Sequence, residues 1–345
     1  MNKGEALKFS GTHKEIGIQV GELYKQWGKK DVWIPQHAND CFDKQLATYQ
    51  KYFPEYIEYL EGVALGLNLP KDKCLLSYLT GFVNVNAVTP KKCSVFAINN
   101  SNGVLIGRNY DWRQASETVS CVVQYSFIDK FSNDYTGITD MATWQFNTKV
   151  PKSDHLLFTE DAWNTAGLYV CLNGTPDFKP GLGLATPHAI QLIVEKCKTT
   201  EEAVALIAEL PIVHSTFFTI ADSGGNLAVV EKPQGEEIKV IKSNKQVITT
   251  NHYNYPELVY KNIPQFKNIP FHSTYSRYHY LQTMLLNNPE VNLEDVMEIM
   301  SQPPVVQNWR SEDVVTCWVS AINLTNGKYF VQVGPLTKTP TEFSN

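Results

Sequence analysis

Cys93-Ser94-Val95-Phe96-Ala97-Ile98 is followed by Asn99-Asn100-Ser101-Asn102-Gly103, and then by Val104-Leu105-Ile106-Gly107-Arg108-Asn109-Tyr110-Asp111-Trp112. Two apolar runs rich in β-branched residues flank a polar run of Asn and Gly, which is the pattern of a β-hairpin. A hairpin returns the end of its second strand to the start of its first. Arg108 and Asp111 are therefore expected beside Cys93, although they lie 15 and 18 residues further along the chain. A cation beside a thiol lowers its pKa and favours the nucleophilic thiolate. No histidine is close to this hairpin in sequence, so a general base must come from elsewhere. One source is the α-amine of Cys93, released if the Lys92–Cys93 bond is cut.

The order Cys93 to Gly107-Arg108-Asn109-Tyr110-Asp111-Trp112 resembles the start of the mature chain in N-terminal nucleophile hydrolases of the choloylglycine hydrolase and penicillin acyltransferase group. Three later stretches resemble the same group in the same order. Trp163-Asn164-Thr165-Ala166-Gly167-Leu168-Tyr169-Val170-Cys171-Leu172-Asn173 is similar to the strand that ends in an oxyanion-hole Asn. Ile248-Thr249-Thr250-Asn251-His252 is similar to the second Asn motif, and Ser273-Thr274-Tyr275-Ser276-Arg277-Tyr278 to the Ser-x-x-Ser-Arg segment. Upstream, Gly11-Thr12-His13-Lys14-Glu15-Ile16-Gly17-Ile18-Gln19-Val20-Gly21 resembles the propeptide opening of the penicillin-acyltransferase-like branch.

The resemblance implies an α/β fold of the α+β kind, a four-layer αββα sandwich over residues 93–345, preceded by a helical pro-segment over residues 1–92. It also implies roles. Cys93 is the nucleophile, Arg108 supports its thiolate, and Asp111 accepts a hydrogen bond from its α-ammonium. Asn173 and Asn251 offer amides to the oxyanion, and Arg277 holds the network together. Lys92 and Cys93 flank the cleavage point. Each residue also has an ordinary use. Arg108 and Asp111 suit an edge-strand ion pair. Asn173-Gly174 is a turn dipeptide, and with Thr175 it forms a glycosylation sequon. An arginine at a helix start, as Arg277 reads, is usually solvated.

Composition narrows the partners. Apolar residues make up 43% of the 345-residue chain, enough for a sizeable core, and the formal charge is −5 with no block of basic residues. Nucleic acid and anionic membranes are poor partners for such a surface. The seven cysteines form no Cys-x-x-Cys pair, so six read as buried apolar residues of a reduced protein. Met1–Phe9 lacks a continuous apolar run, so the chain as written reads as cytoplasmic, with a removed signal left open. No apolar run approaches the roughly 20 residues needed to span a bilayer. His272 and His279 share a spacing of seven but lack a third ligand, so no metal and no cofactor is expected.

Helical patterns fill residues 12–28, 40–53, 54–67 and 69–81. Thr12 with Glu15 makes a capping box at the first of them. Turn residues and two lysines over 84–92 give an exposed junction. Strands are expected at 119–128, 156–159, 168–172, 216–221 and 227–231. Helices follow Pro187 and Thr199, and a last hairpin turns at Thr325-Asn326-Gly327. Tyr110, Trp112, Phe131, Tyr135, Trp144 and Phe146 cluster after the nucleophile hairpin. Half of such a set serves as core, and Tyr110, Trp112, Phe131 and Trp144 are the candidates for an apolar acyl pocket.

The expected substrate is a small N-acyl amide, cleaved through a thioester. The two chains produced by self-cleavage stay associated, and assembly into a homo-oligomer is left open. Three other readings stay open. One is an acyltransferase moving an acyl group, with acyl-CoA among the donors, to a small amine. Another is an uncleaved binding protein of the same fold. The third is a single-chain Cys–His thiol hydrolase using His252.

Overall fold

The computed structural model describes residues 6–83, 93–117, 119–140, 156–177, 179–262, 269–334 and 341–344. Lys92 and Trp144 lie outside these residues, as do Phe146 and the junction expected over 84–92.

Residues 6–83 are mainly helical as the periodicity predicts, with one exception. Leu7–Gly11 is a strand, β1. It is followed by α1 (His13–Gln26), α2 (Ala38–Tyr52), α3 (Pro54–Leu67) and α4 (Lys71–Thr80). The Thr12–Glu15 capping box is formed in full, satisfying donors that a helix end otherwise leaves orphaned. The nucleophile hairpin is β2 (Ser94–Asn100) and β3 (Gly103–Trp112). After the single turn α5 (Gln114–Glu117) come β4 (Cys121–Phe127), β5 (Tyr135–Asp140), β6 (Phe158–Asn164) and β7 (Leu168–Gly174). Next are α6 (Thr186–Lys196), α7 (Thr200–Glu209), β8 (Thr216–Asp222), β9 (Leu227–Lys232), β10 (Lys239–Ser243) and β11 (Gln246–Thr249). The chain then forms α8 (Ile269–Asn287), α9 (Leu293–Met300), β12 (Asn308–Trp309), β13 (Val314–Asn323), β14 (Lys328–Val333) and β15 (Thr341–Ser344).

The strands form two sheets. One runs β1-β4-β5-β6-β7-β8-β9-β10, and the other runs β11-β2-β3-β13-β14-β15 with β12 on β13. Val95, Ile106, Trp163, Tyr169 and Trp318 pack between them. The outer face of the first sheet carries Val170, Phe218 and Val230 against Ile16, Leu60 and Val63 of α1 and α3 and Ile190 and Ile193 of α6. The outer face of the second carries Phe96 and Leu105 against Leu281, Val296 and Met300 of α8 and α9. These four layers are the αββα sandwich. Sequence alternation supports it, because each strand feeds two different cores with alternate side chains.

The helices ahead of Cys93 are part of this sandwich. β1 pairs in parallel with β4, Leu7 opposite Val123 and Gly11 opposite Phe127. α1 and α3 meet backbone to backbone: a Cβ on Gly17 would stand 2.0 Å from the Tyr59 carbonyl oxygen, and one on Gly62 would stand 2.0 Å from that of Lys14. His13, the first residue of α1, bonds through Nε2 to Oε2 of the fully buried Glu195 of α6 at 3.0 Å. His188 of α6 lies between two tyrosine hydroxyls, Tyr49 of α2 on Nδ1 and Tyr56 of α3 on Nε2, both at 2.7 Å.

Candidate active site

In the β2–β3 hairpin Ser94 pairs with Asn109 and Asn100 with Gly103, so Ser101-Asn102 is a two-residue turn and Cys93 falls opposite Tyr110. This is the juxtaposition expected from the sequence. Alternation then separates the two charged residues. Val104, Ile106, Tyr110 and Trp112 face the inter-sheet core, and Arg108 shares that face. Asn109 faces the helices, donating from Nδ2 to the Met300 carbonyl at 2.9 Å. Asp111, three residues from Arg108, takes the helix face.

Arg108 is therefore not the ion-pair partner of Asp111. It is completely buried and reaches across to the other sheet. Nε donates to Asp161 Oδ1 of β6 at 3.0 Å. Nη1 donates to Asn173 Oδ1 and Nη2 to the Leu172 carbonyl of β7, each at 2.7 Å. Burial works against the guanidinium charge, and the Asp161 carboxylate more than restores it, so the group stands above the ordinary arginine range. Asp161 is itself held by Trp318 Nε1 of β13, which donates to Oδ2 at 2.7 Å.

Asp111 accepts from Thr316 Oγ1 of β13 at 2.5 Å. On the same side stands Arg277. The sequence places it at a helix start, but it lies in the middle of α8 and is fully buried. Such an arginine needs acceptors for its donors, and it has four. Nη1 donates to the Cys93 carbonyl at 2.6 Å and to Ser94 Oγ at 2.8 Å, Nη2 to Asn251 Oδ1 at 2.9 Å, and Nε to Ser273 Oγ at 3.3 Å. Burial pulls its pKa down to about 10, with Asp111 and Cys93 opposing that pull. At neutral pH it remains a cation.

The two asparagines complete the ring. Asn173 is a buried residue of β7 rather than a turn residue, and its sequon is closed to modification. Its Nδ2 donates to the carbonyls of Cys93 at 3.2 Å, Thr249 at 3.3 Å and Thr250 at 2.9 Å. Asn251 follows β11 and donates from Nδ2 to the Gly174 carbonyl at 2.8 Å. Thr274 of α8 accepts the Asn251 main-chain N–H at 2.9 Å, and its hydroxyl also meets Thr250 Oγ1 at 2.9 Å and His252 Nδ1 at 2.9 Å. Burial, helped by Arg277, lowers His252 to about 4, so its imidazole is neutral.

Cys93, Arg108, Asp111, Asn173, Asn251 and Arg277 are thus brought to one place by β2, β3, β7, the end of β11, and α8. Of the four residues expected to line an acyl pocket, Trp144 lies outside the described residues, and Phe131 lies apart from Tyr110 and Trp112. Tyr110 stacks on Trp318 with ring centroids 4.0 Å apart and an angle of 4°, and its hydroxyl donates to Asp140 Oδ2 at 2.9 Å, so it is an inter-sheet wall. Trp112 is buried in the same core. Phe131 is 85% exposed on the β4–β5 connection, at the opposite end of β5 from Asp140. Sequence reasoning missed Asp161, Trp318, Thr274 and Ser94. The acidic pair Glu160-Asp161 inside a buried strand was the available signal for Asp161.

Among the described residues no helix is long and apolar enough to cross a membrane, and no group of three or more His, Cys, Asp or Glu is placed to hold a metal ion. The family model described as acyl-coenzyme A:6-aminopenicillanic acid acyl-transferase matches residues 98–334. Among solved structures, a variant of the conjugated bile acid hydrolase from Clostridium perfringens is 14% identical and has a TM-score of 0.51. The alignment covers 73% of this chain and 92% of that one. It shares the fold. Penicillin V acylase from Agrobacterium tumefaciens is 18% identical, with a TM-score of 0.47 and coverage of 72% of this chain and 84% of that one. The N-acylethanolamine-hydrolyzing acid amidase ortholog from Caenorhabditis elegans is 14% identical, with a TM-score of 0.45 and coverage of 68% and 93%. No curated protein matches the chain.

Proposed function

The chain belongs to the acyl-coenzyme A:6-aminopenicillanic acid acyl-transferase family, and from that premise we propose that it is a self-processing cysteine N-terminal nucleophile enzyme acting on linear amide bonds. The observation that carries the reading is the convergence on Cys93. Its carbonyl accepts from both Arg277 and Asn173, and Asn173 in turn is held by Arg108. A structural cysteine at a strand start has no need of two buried arginines and two buried asparagines around it.

In the proposed processing step the Cys93 thiol attacks the Lys92 carbonyl, moving the acyl group from nitrogen to sulfur. Water then hydrolyses that thioester, leaving a Lys92 carboxylate and a free Cys93 α-amine. The products are a 92-residue α chain and a β chain of 253 residues, 345 less 92. In turnover the Cys93 thiolate attacks the substrate carbonyl, and the negative charge on the tetrahedral oxygen is held by amide donors of Asn173 and Asn251. The α-ammonium, held by Asp111, protonates the leaving amine. The α-amine then takes a proton from water, which attacks the thioester and releases the acid. Arg108 supports the thiolate from the inter-sheet side. Arg277 fixes Cys93 and Asn251 from the helix side.

His252 fits a Cys–His mechanism poorly. An imidazole with a pKa of about 4 is a weak base at neutral pH. Acyl transfer is the second reading, and the description of the matching family, which names an acyl-CoA donor, favours it. The same thioester resolved by an amine in place of water gives that product.

Intact mass and N-terminal sequencing of the purified protein test processing. Turnover of a series of N-acyl amides, with and without an acceptor amine, tests the chemistry. An active protein that remains a single 39.0 kDa species would overturn the mechanism. Product formed only with an acceptor would replace hydrolysis by transfer.

A further inference from the structure

Arg108 lies on the inter-sheet face with Cys93, two residues along β3 from the position opposite it. Its contacts make a continuous line from sheet to sheet. Trp318 Nε1 donates to Asp161, Arg108 Nε donates to the same carboxylate, Arg108 Nη1 donates to Asn173 Oδ1, and Asn173 Nδ2 donates to the Cys93 carbonyl. A guanidinium is planar, so fixing Nε fixes the direction of both Nη atoms. Fixing Nη1 against Asn173 Oδ1 then settles which end of that amide presents its hydrogens to Cys93. Asp161 is therefore the anchor of a chain that ends at the nucleophile. Asp161 and Arg108 are both wholly buried, so their charges act at short range with little screening.

We propose that Asp161 is a positioning residue for the reaction: it aims Arg108, and through it the Asn173 amide, and offsets the Arg108 charge beside Cys93. Trp318 is the second anchor, holding the Asp161 carboxylate with its indole N–H while stacked on Tyr110. The inference rests on Cys93 being the nucleophile. It adds a limit to the electrostatics of the site. An arginine without a counter-ion would hold the thiol ionised over a wide pH range, and the ionised thiol is a poorer nucleophile as its pKa falls. With Asp161 in place, Arg108 acts chiefly as a directional donor. The other groups around Cys93 are Arg277 from α8 with Asp111 facing it, Tyr110 beside it on β3, Cys171 on β7 and Cys317 on β13. Among these, Cys171 also feels the Asp161 carboxylate, which raises its thiol pKa, so the alkylated site is assigned to Cys93 by peptide mass.

Asp161→Asn keeps the shape of the side chain and removes its charge. Two readouts are needed, the pH midpoint of Cys93 alkylation by iodoacetamide and steady-state kinetics on an N-acyl amide. The expected result is a midpoint lower by on the order of one pH unit, because Arg108 is no longer offset, and a kcat reduced about tenfold or more with KM little changed, because Asn173 is no longer aimed. Asp161→Glu restores the charge, and is expected to return the midpoint toward wild type while leaving kcat low. If Asp161→Asn fails to fold or to process, Trp318→Phe keeps the carboxylate and the stack and removes only the indole donor. It is expected to move the midpoint in the same direction by less. Wild-type midpoints in both variants, in a wild-type background that is processed and active, would overturn the proposal alone. A wild-type Cys93 whose alkylation leaves activity intact would instead remove the proposed function, and this inference with it.

Discussion

Asn173 and Asn251 each bind the main chain next to the other. Asn173 donates to the carbonyls of Thr249 and Thr250, and Asn251 donates to that of Gly174. The end of β7 in one sheet is thereby locked to the end of β11 in the other. Each amide oxygen is taken by a buried arginine, Arg108 for Asn173 and Arg277 for Asn251. Both amides are thus fixed in orientation, Asn173 with an N–H on the Cys93 carbonyl and Asn251 with one on the Gly174 carbonyl.

Asn251→Ala is expected to lower kcat on the order of a hundredfold with the fold retained, because the lost donor acts chiefly in the transition state. His252→Asn is expected to lower it far less. Its pH–rate profile should match wild type through pH 6 to 8, since the lowered imidazole is already neutral across that range. Steady-state kinetics on both variants would decide the ranking, and the opposite ranking would restore the Cys–His mechanism.

Processing is visible on a denaturing gel. Wild type is expected as two bands, the larger beginning at Cys93, and Cys93→Ala as one uncut chain. Arg277→Leu is expected to slow the cut, because the Cys93 carbonyl loses its 2.6 Å donor. A fully cut Cys93→Ala protein would place the nucleophile elsewhere.

The His13–Glu195 pair gives a pH signature. Burial lowers the His13 pKa, and the Glu195 carboxylate beside it, with help from Glu55 and Asp129, lifts it above its ordinary value. A raised folded pKa contributes stability that is fully present below about pH 6.5 and is lost as pH rises through the folded value. Burial also raises Glu195, whose contribution has the same sign. Glu195→Gln removes both. It is expected to destabilise the protein at pH 6, and the gap to wild type should shrink or reverse by pH 8.5 in thermal melts. A gap that widens with pH would contradict the assignment.

Gly62→Ala is expected to destabilise by roughly 3 kcal/mol, because the new Cβ meets the Lys14 carbonyl oxygen, a backbone atom with no freedom to turn aside. Leu65→Ala, 59% exposed on the same helix, is the control and should stay within about 0.5 kcal/mol. Chemical denaturation measures both.

Much of this was legible in the sequence, and the gaps have physical causes. The 3.6-residue period gave α1 to α4, and the Asn/Gly turn gave the hairpin and its register. β1 escaped because its alternation, Leu7-Lys8-Phe9-Ser10, runs for only four residues before the capping box, the shortest run that can signal a strand. For Arg277 only the Ser-x-x-Ser-Arg resemblance points to the network, because spacing along a helix does not say which face is buried, and three of its four acceptors come from residues 93, 94 and 251. The Arg108–Asp111 pair failed on parity: three residues along a strand is opposite faces, a rule available from the sequence. The partner Asp161 lies 53 residues away, a distance that only the stacking of two sheets closes. The aromatic run over 110–146 reads as half core and half pocket, and inter-sheet packing claims Tyr110 and Trp112, two of the pocket candidates.

The parallel pairing of β1 with β4 changes what a cut after Lys92 would mean. A severed leader is usually shed, but here the leading piece would remain stitched into an eight-stranded sheet by main-chain bonds, with its helices forming much of that sheet's outer cover. Losing it would strip α1 to α4 from the layer they share with α6 and bare the edge of β4. The scission would then be an internal nick that frees an amine inside a finished molecule, leaving two polypeptides to melt as one.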